Sequence, residues 1–115
     1  MVNLSSISIH TTRSIGTGIY SAAKAAIANM TVSMAVEFAQ YGIRVNTVVP
    51  GFIETRFHEV FSTAQRRKEV AENTPLKRNG TAEDVANTIL FLASDAASFI
   101  TGEYIAVNGG LYMRV

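Results

Sequence analysis

Short apolar runs alternate with longer helical stretches along this chain. Residues 2–5 form a brief apolar run that predicts a buried strand. The serine-, threonine- and glycine-rich stretch 6–18 predicts a loop. From 19 to 40 the pattern has almost no polar side: Ala22, Ala23, Ala26, Ile27, Met30, Met34, Val36 and Phe38 fall around the whole circumference. A helix apolar all round is buried on more than one side, so one side is predicted to cover a sheet and another to meet a second helix. Tyr41-Gly42 supplies the stop, because glycine accepts the left-handed conformation of a helix end.

Residues 43–49 are rich in β-branched side chains and predict a second strand, halted at Pro50-Gly51. The mixed segment 52–81 follows, with short helices predicted over 56–61 and 63–72. An excursion of this kind inside a compact domain is usually functional. Thr81 is predicted to cap a helix beginning Ala82-Glu83-Asp84, whose acidic first turn suits the helix dipole. Residues 104–107 predict a last strand, and Asn108-Gly109-Gly110 a turn.

Strands separated by helices imply a parallel α/β sheet. Such a sheet needs both faces covered and more than three strands. The 115 residues are therefore expected to be one partial domain, the C-terminal half of a Rossmann-type, doubly wound parallel sheet with helices on both faces.

Composition narrows the function. Hydrophobic residues make up 48% and charged residues 17%, values of a folded chain. Ten basic against nine acidic residues give a net charge of +1, which argues against a nucleic-acid partner. The basic run Arg66-Arg67-Lys68 is offset by Glu69 and Glu72 and reads as a solvated helix face. With no cysteine there are no disulfides or thiolate metal sites; a cytoplasmic location and no metal are expected. No apolar run approaches the roughly 18 residues of a membrane span.

Tyr20 and Lys24, four apart on a helix, share one side and can face one cleft. A phenol ionises near pH 10 and is a poor acid–base catalyst at neutral pH. A neighbouring cation favours the phenolate, and a lysine can also hydrogen-bond sugar hydroxyls. A serine hydroxyl at the preceding strand end could bind a substrate carbonyl oxygen as charge develops there.

In this order and spacing, Val2-Asn3-Leu4-Ser5-Ser6, Tyr20-Ser21-Ala22-Ala23-Lys24, Ile43-Arg44-Val45-Asn46, Val49-Pro50-Gly51-Phe52-Ile53-Glu54-Thr55, Thr74-Pro75-Leu76 and Ile100-Thr101-Gly102 through Asn108-Gly109-Gly110 resemble the classical short-chain dehydrogenase/reductase family. They are similar in particular to its 3-oxoacyl-(acyl carrier protein) reductases, although sugar, steroid and small-alcohol dehydrogenases share these pieces. The resemblance covers almost the whole chain. It implies an NAD(P)-dependent oxidoreductase that moves a hydride between a nicotinamide cofactor and a carbonyl or secondary alcohol. Tyr20 would be the acid in reduction and the base in oxidation, Lys24 would hold the nicotinamide ribose, and Ser6 would be the catalytic serine. Pro50, Gly51, Ile53 and Thr55 would hold the nicotinamide carboxamide and a neighbouring phosphate. The small-molecule substrate is the expected partner, together with further copies in a homodimer or homotetramer.

Departures from the family are visible. Its usual spacing counted back from Tyr20 lands on Ile7, so Ser6 requires a loop longer by one residue and Ser8 is the fallback. Asn108 stands where aspartate is common, a change expected to be structural. The chain contains no glycine-rich phosphate loop, and with it goes the usual basis for choosing between NAD and NADP. The isolated 115 residues are expected to be inactive. The competing reading is a non-catalytic truncated fragment that serves as an oligomerisation or interaction module.

Several residues stay open between site and scaffold. His10, Arg13 and His58 could touch substrate or simply occupy surface loops. Phe52, Phe57 and Phe61 could wall a pocket or fill the local core. Asn3 and Asn46 are expected to bond nearby backbone, and Ile89, Leu92 and Phe99 to lie in the core.

Overall fold

The computed structural model of the protein describes residues 1–11 and 16–113. A three-stranded parallel sheet, β1 (Val2–Leu4), β2 (Asn46–Pro50) and β3 (Tyr104–Val107), has the order β1-β2-β3. Helix α1 (Gly18–Phe38) joins β1 to β2, and α2 (Arg56–Phe61), α3 (Ala64–Asn73) and α4 (Ala82–Ala93) lie between β2 and β3. Arg13 lies outside the described residues.

Successive side chains of a strand point to opposite faces, and the register assigns those faces. Val2 and Val48 pack with Leu92 and Ile89 of α4, and Ile105 and Val107 join them from β3. The alternate positions face α1. Asn3 Nδ2 donates to Thr31 Oγ1 at 2.9 Å, Thr47 Oγ1 donates to the same oxygen at 2.6 Å, and the Tyr104 hydroxyl donates to the Ala28 carbonyl at 2.8 Å. Helices α1 and α4 thus cover opposite faces, as the doubly wound reading expects.

Asn3 reaches a side chain rather than nearby backbone as expected. Thr31 and Thr47 are fully buried, and Thr31 Oγ1 passes its own proton to the Ile27 carbonyl. A buried polar group left without partners would be costly, and this relay satisfies all three. Asn46 does bond backbone: Nδ2 donates to the Ile100 carbonyl, and Oδ1 accepts from Glu103 N.

Strand β2 begins three residues later than the apolar run suggests. Val45 N donates to Thr101 Oγ1, not to a strand, and the Arg44 guanidinium turns to the Leu92, Ser94 and Ile100 carbonyls. Arg44 thereby caps the C-terminal end of α4, where carbonyls lack intrahelical donors. At the other end, Thr81 and Asp84 form a reciprocal capping box. Helix α1 runs into a 3-10 turn, Ala39–Tyr41, that stops at Gly42 with φ 70°.

Three expectations about burial change. Strand β1, expected to be buried, is only partly covered, with Leu4 exposed. Helix α1 buries a single stripe, Ser21, Ala28, Thr31 and Ala35, while Ile19 and Val36 stand 89% and 76% exposed. Its second apolar side is covered by no described residue. Phe99, expected in the core, is wholly exposed. Among the described residues no helix is long and apolar enough to cross a membrane.

Candidate active site

The C-terminal ends of the parallel strands open onto a cleft of about 610 Å³, lined by Ser6, Ser8, Tyr20, Pro50, Gly51, Phe52, Phe57 and His58 among others. This is where open parallel sheets bind ligands. Each strand contributes to the arrangement: the β1 end carries Ser6, the β2 end leads into Pro50-Gly51, and Asn108 after β3 backs Gly51.

Tyr20 and Lys24 lie one turn apart at the start of α1, with Lys24 Nζ 5.9 Å from the Tyr20 ring centre. The helix meets the end of β1 through two hydrogen bonds of opposite direction. Lys24 Nζ donates to the Leu4 carbonyl at 2.9 Å, and Ser5 Oγ donates to the Lys24 carbonyl at 2.8 Å. An ammonium has three N–H donors, so two remain for a ligand beside Tyr20. The expected pairing on one side of the helix is present. Ser5, next to the serine that the resemblance singles out, is the buried clamp; its place as the first residue past β1, under α1, is the one signal in the sequence that could have marked it.

Ser6 and Ser8 both reach the cleft wall, and their roles differ. Ser6 caps the 3-10 turn Ile7–Ile9, its Oγ accepting from Ser8 N at 3.2 Å. Its O–H has no acceptor among the described residues. Ser8 Oγ is buried without a hydrogen-bond partner among the described residues. His10 stacks on Tyr112 at 4.7 Å and lines a separate small hollow with it, away from Tyr20.

Gly51 is a steric requirement. A Cβ there would come within 2.8 Å of Asn108 Cα and 2.7 Å of its Cβ, so any side chain would drive β2 away from the turn after β3. Asn108 holds that turn with both ends of its amide: Oδ1 accepts from Gly110 N at 2.9 Å and Nδ2 donates to the Tyr112 carbonyl at 2.7 Å. An aspartate carboxylate has no N–H to make the second of these bonds, which gives this asparagine a structural part.

Ile53 and Thr55 sit farther along. Ile53 forms a bridge with Gly80 made by Glu54 N, the Gly80 N–H and the Phe52 carbonyl, which leaves the Ile53 backbone groups facing the other way. Its side chain lines a neighbouring hollow, not the cleft of Tyr20. Thr55 is exposed at the start of α2; its carbonyl accepts from His58 N and Glu59 N, and its hydroxyl makes no capping bond. Tyr20, Ser6, Pro50 and Gly51 are therefore brought to one cavity, Lys24 sits against it, and Ile53 and Thr55 flank it.

The α2–α3 pair closes one side. Phe52 and Phe57 line the cleft, whereas Phe61 is 73% exposed and fills no core. His58 lies between them, and its imidazole is kept below its ordinary pKa first by burial and then by the charge of Arg67. Arg67 Nη1 donates to the Ser62 carbonyl at 2.7 Å and to the His58 carbonyl at 3.3 Å. Asn79 Nδ2 bonds the Arg67 carbonyl and Glu54 Oε1, tying the helical pair to the chain after β2. Arg67 gave no sign of this in the sequence, where it merges into a basic run.

The family profile described as Enoyl-(Acyl carrier protein) reductase matches residues 1–112. The chain is 48% identical over 94 residues to the 3-oxoacyl-[acyl-carrier-protein] reductase FabG of Buchnera aphidicola, covering 82% of this chain and 38% of that protein. It is 46% identical over 112 residues to the FabG of Aquifex aeolicus, covering 97% and 44%. Among solved structures, a short-chain dehydrogenase/reductase of the glucose/ribitol dehydrogenase type from Brucella melitensis superimposes with a TM-score of 0.90 at 42% identity, over 98% of this chain and 45% of the other. A 7α-hydroxysteroid dehydrogenase in complex with NADH and 7-oxo glycochenodeoxycholic acid gives a TM-score of 0.90 at 32% identity, over 95% and 42%. The chain thus spans about two-fifths of the length of these relatives.

Proposed function

The chain belongs to the short-chain dehydrogenase/reductase family, and from that premise we propose that the protein carrying it is an NAD(P)-dependent oxidoreductase acting on a carbonyl or secondary alcohol. The observation that supports this most is the convergence of Tyr20, Ser6 and the Lys24 ammonium at the C-terminal ends of parallel strands.

In reduction the Ser6 O–H donates to the substrate carbonyl oxygen and strengthens that bond as negative charge gathers there. The Tyr20 hydroxyl gives its proton to the same oxygen, and the neighbouring Lys24 charge stabilises the phenolate that remains. In oxidation the proton moves the other way. Reduced nicotinamide, when bound, supplies the hydride received by the carbonyl carbon. The donors here suit that cofactor: two free N–H groups of Lys24 for ribose hydroxyls, the outward-facing Ile53 backbone for a carboxamide, and the uncommitted Thr55 hydroxyl for a phosphate. Pro50 and Gly51 line the cleft beside Tyr20 and would pack against the nicotinamide. These groups meet only the nicotinamide end, so NAD and NADP are equally served and the 115 residues alone are expected to bind either weakly.

Relatives named as 3-oxoacyl-[acyl-carrier-protein] reductases make 3-oxoacyl thioesters the first substrates to assay, followed by steroid, sugar and simple ketones. The exposed side of α1 and the bare Phe99 ring suit a homodimer or homotetramer. The reading is tested by following NADH and NADPH oxidation with these ketones. Oxidation coupled to stoichiometric alcohol formation is expected, and turnover of none of them by the folded protein would count decisively against it.

A further inference from the structure

One wall of the Tyr20 cleft is unused by the chemistry above. The His58 imidazole stacks on Phe52 at 3.8 Å with 21° between the planes and meets Phe57 edge-on at 5.2 Å. Its Nδ1 lies 3.1 Å from Ser62 Oγ, and its backbone carbonyl is held by Arg67. The ring is thus fixed by packing on its face, by a ring at its edge and by a bond at one nitrogen. Nε2 has no hydrogen-bond partner among the described residues, and the residue lines the cleft that Tyr20 and Ser6 share. For packing between two phenylalanines a third would serve as well. Burial and the Arg67 charge both disfavour the imidazolium, so near neutral pH the ring is a neutral hydrogen-bonding group rather than a partner for anions.

We propose that His58 is the substrate-recognition residue of this cleft: its Nε2, set in place by Phe52 and Ser62, hydrogen-bonds a second, uncharged oxygen function on the carbonyl substrate. The inference rests on the oxidoreductase reading and narrows it to ketones or aldehydes that also bear a hydroxyl, ester, thioester or amide oxygen. If the Ser62 hydroxyl donates to Nδ1, Nε2 carries the ring proton and reads an acceptor oxygen. If Nδ1–H donates to Ser62, Nε2 reads a hydroxyl. In both cases a hydrocarbon ketone leaves Nε2 unpaired, and a site built to bond a polar group discriminates strongly against an analogue that lacks it.

The test compares kcat/KM for three ketones of equal chain length: a 3-oxo ester, a hydroxyketone and the unsubstituted ketone. Wild-type protein is expected to favour one of the oxygenated pair over the hydrocarbon ketone by about tenfold or more, through a lower KM. His58→Phe keeps the ring stack and should erase that preference while leaving turnover of the hydrocarbon ketone nearly unchanged. His58→Gln should retain part of it, and decides the matter if the phenylalanine variant does not fold. An unchanged preference in both variants, or an equal loss on all three ketones with an unchanged unfolding midpoint, would overturn the inference. The oxidoreductase reading fails differently, by absence of hydride transfer from wild-type protein to any of the three, and the inference then falls with it.

Discussion

The Ser5 hydroxyl donates to the carbonyl of Lys24 at 2.8 Å, while the Lys24 ammonium returns to the β1 backbone at Leu4. The lysine expected to hold a cofactor is therefore positioned by its own main chain as well as by its side chain. Ser5→Ala should remove the first bond, lower stability by about 1 kcal/mol, and raise the KM for the nicotinamide cofactor more than it changes kcat. Urea unfolding and cofactor titration check both parts. A variant with wild-type cofactor KM would show that Lys24 is fixed from elsewhere.

Tyr20 and Lys24 divide their labour. Tyr20→Phe removes one hydroxyl from a half-exposed ring, so cofactor affinity should stay near wild type while carbonyl reduction falls by about 10²–10⁴-fold, the usual worth of a positioned proton donor. Lys24→Ala loses a bond to Leu4 and the charge beside the phenol, and should weaken both binding and turnover. Cofactor binding by fluorescence together with steady-state rates separates the two variants. Full activity in Tyr20→Phe would remove Tyr20 from the mechanism.

Much of this was legible because it rests on local rules. The four-residue spacing of Tyr20 and Lys24, the Thr81 cap with Asp84 three residues on, and the strand at Tyr104–Val107 are each set by neighbours in sequence, and each appears where expected. What the sequence concealed depends on distant contacts. Arg44 lies in an apolar run that reads as strand, yet its guanidinium reaches carbonyls about 50 residues away, and the strand starts only after it. Phe99 reads as core by hydrophobicity alone, but nothing in the described chain covers it. Counting back from Tyr20 lands between Ser6 and Ser8; in the fold Ser6 Oγ caps a 3-10 turn at the cleft wall, whereas Ser8 Oγ is buried with no hydrogen-bond partner among the described residues.

Arg44 should be among the more stability-sensitive positions. Its guanidinium bonds the carbonyls of Leu92, Ser94 and Ile100, joining the entry to β2 with the end of α4. Arg44→Met keeps the aliphatic stem and orphans those acceptors, which should cost about 2–4 kcal/mol. Arg44→Lys should recover only a fraction, because a single ammonium cannot reproduce the planar fork. Chemical denaturation with an unchanged m-value checks this; a loss below about 0.5 kcal/mol would mean that water replaces the guanidinium freely.

Acid sensitivity should be concentrated at Asp84. Its carboxylate accepts two bonds from the Arg78 guanidinium, at 2.6 and 2.9 Å, and one from Thr81 N at 2.7 Å. The Arg78 bonds first, and then the Thr81 backbone bond, hold the carboxyl well below the usual carboxylate range, and Arg78 is raised in return. A group whose pKa is depressed by folding stabilises the native state fully above its unfolded pKa of about 3.9, and that contribution fades as pH falls further. Wild-type protein should therefore lose stability progressively below about pH 4 in a part of the curve that Asp84→Asn makes shallower. At neutral pH the asparagine variant should already be less stable, since a neutral amide pairs poorly with Arg78 and weakens the capping box of α4. Because the pair is largely exposed, added salt should shrink the difference. Arg78→Met separates the contributions, keeping the Thr81 bond while deleting the ion pair. Urea midpoints measured from neutral pH down to about pH 2, with and without salt, provide the check, and parallel curves for wild type and Asp84→Asn over that range would show that the carboxylate gains nothing from folding.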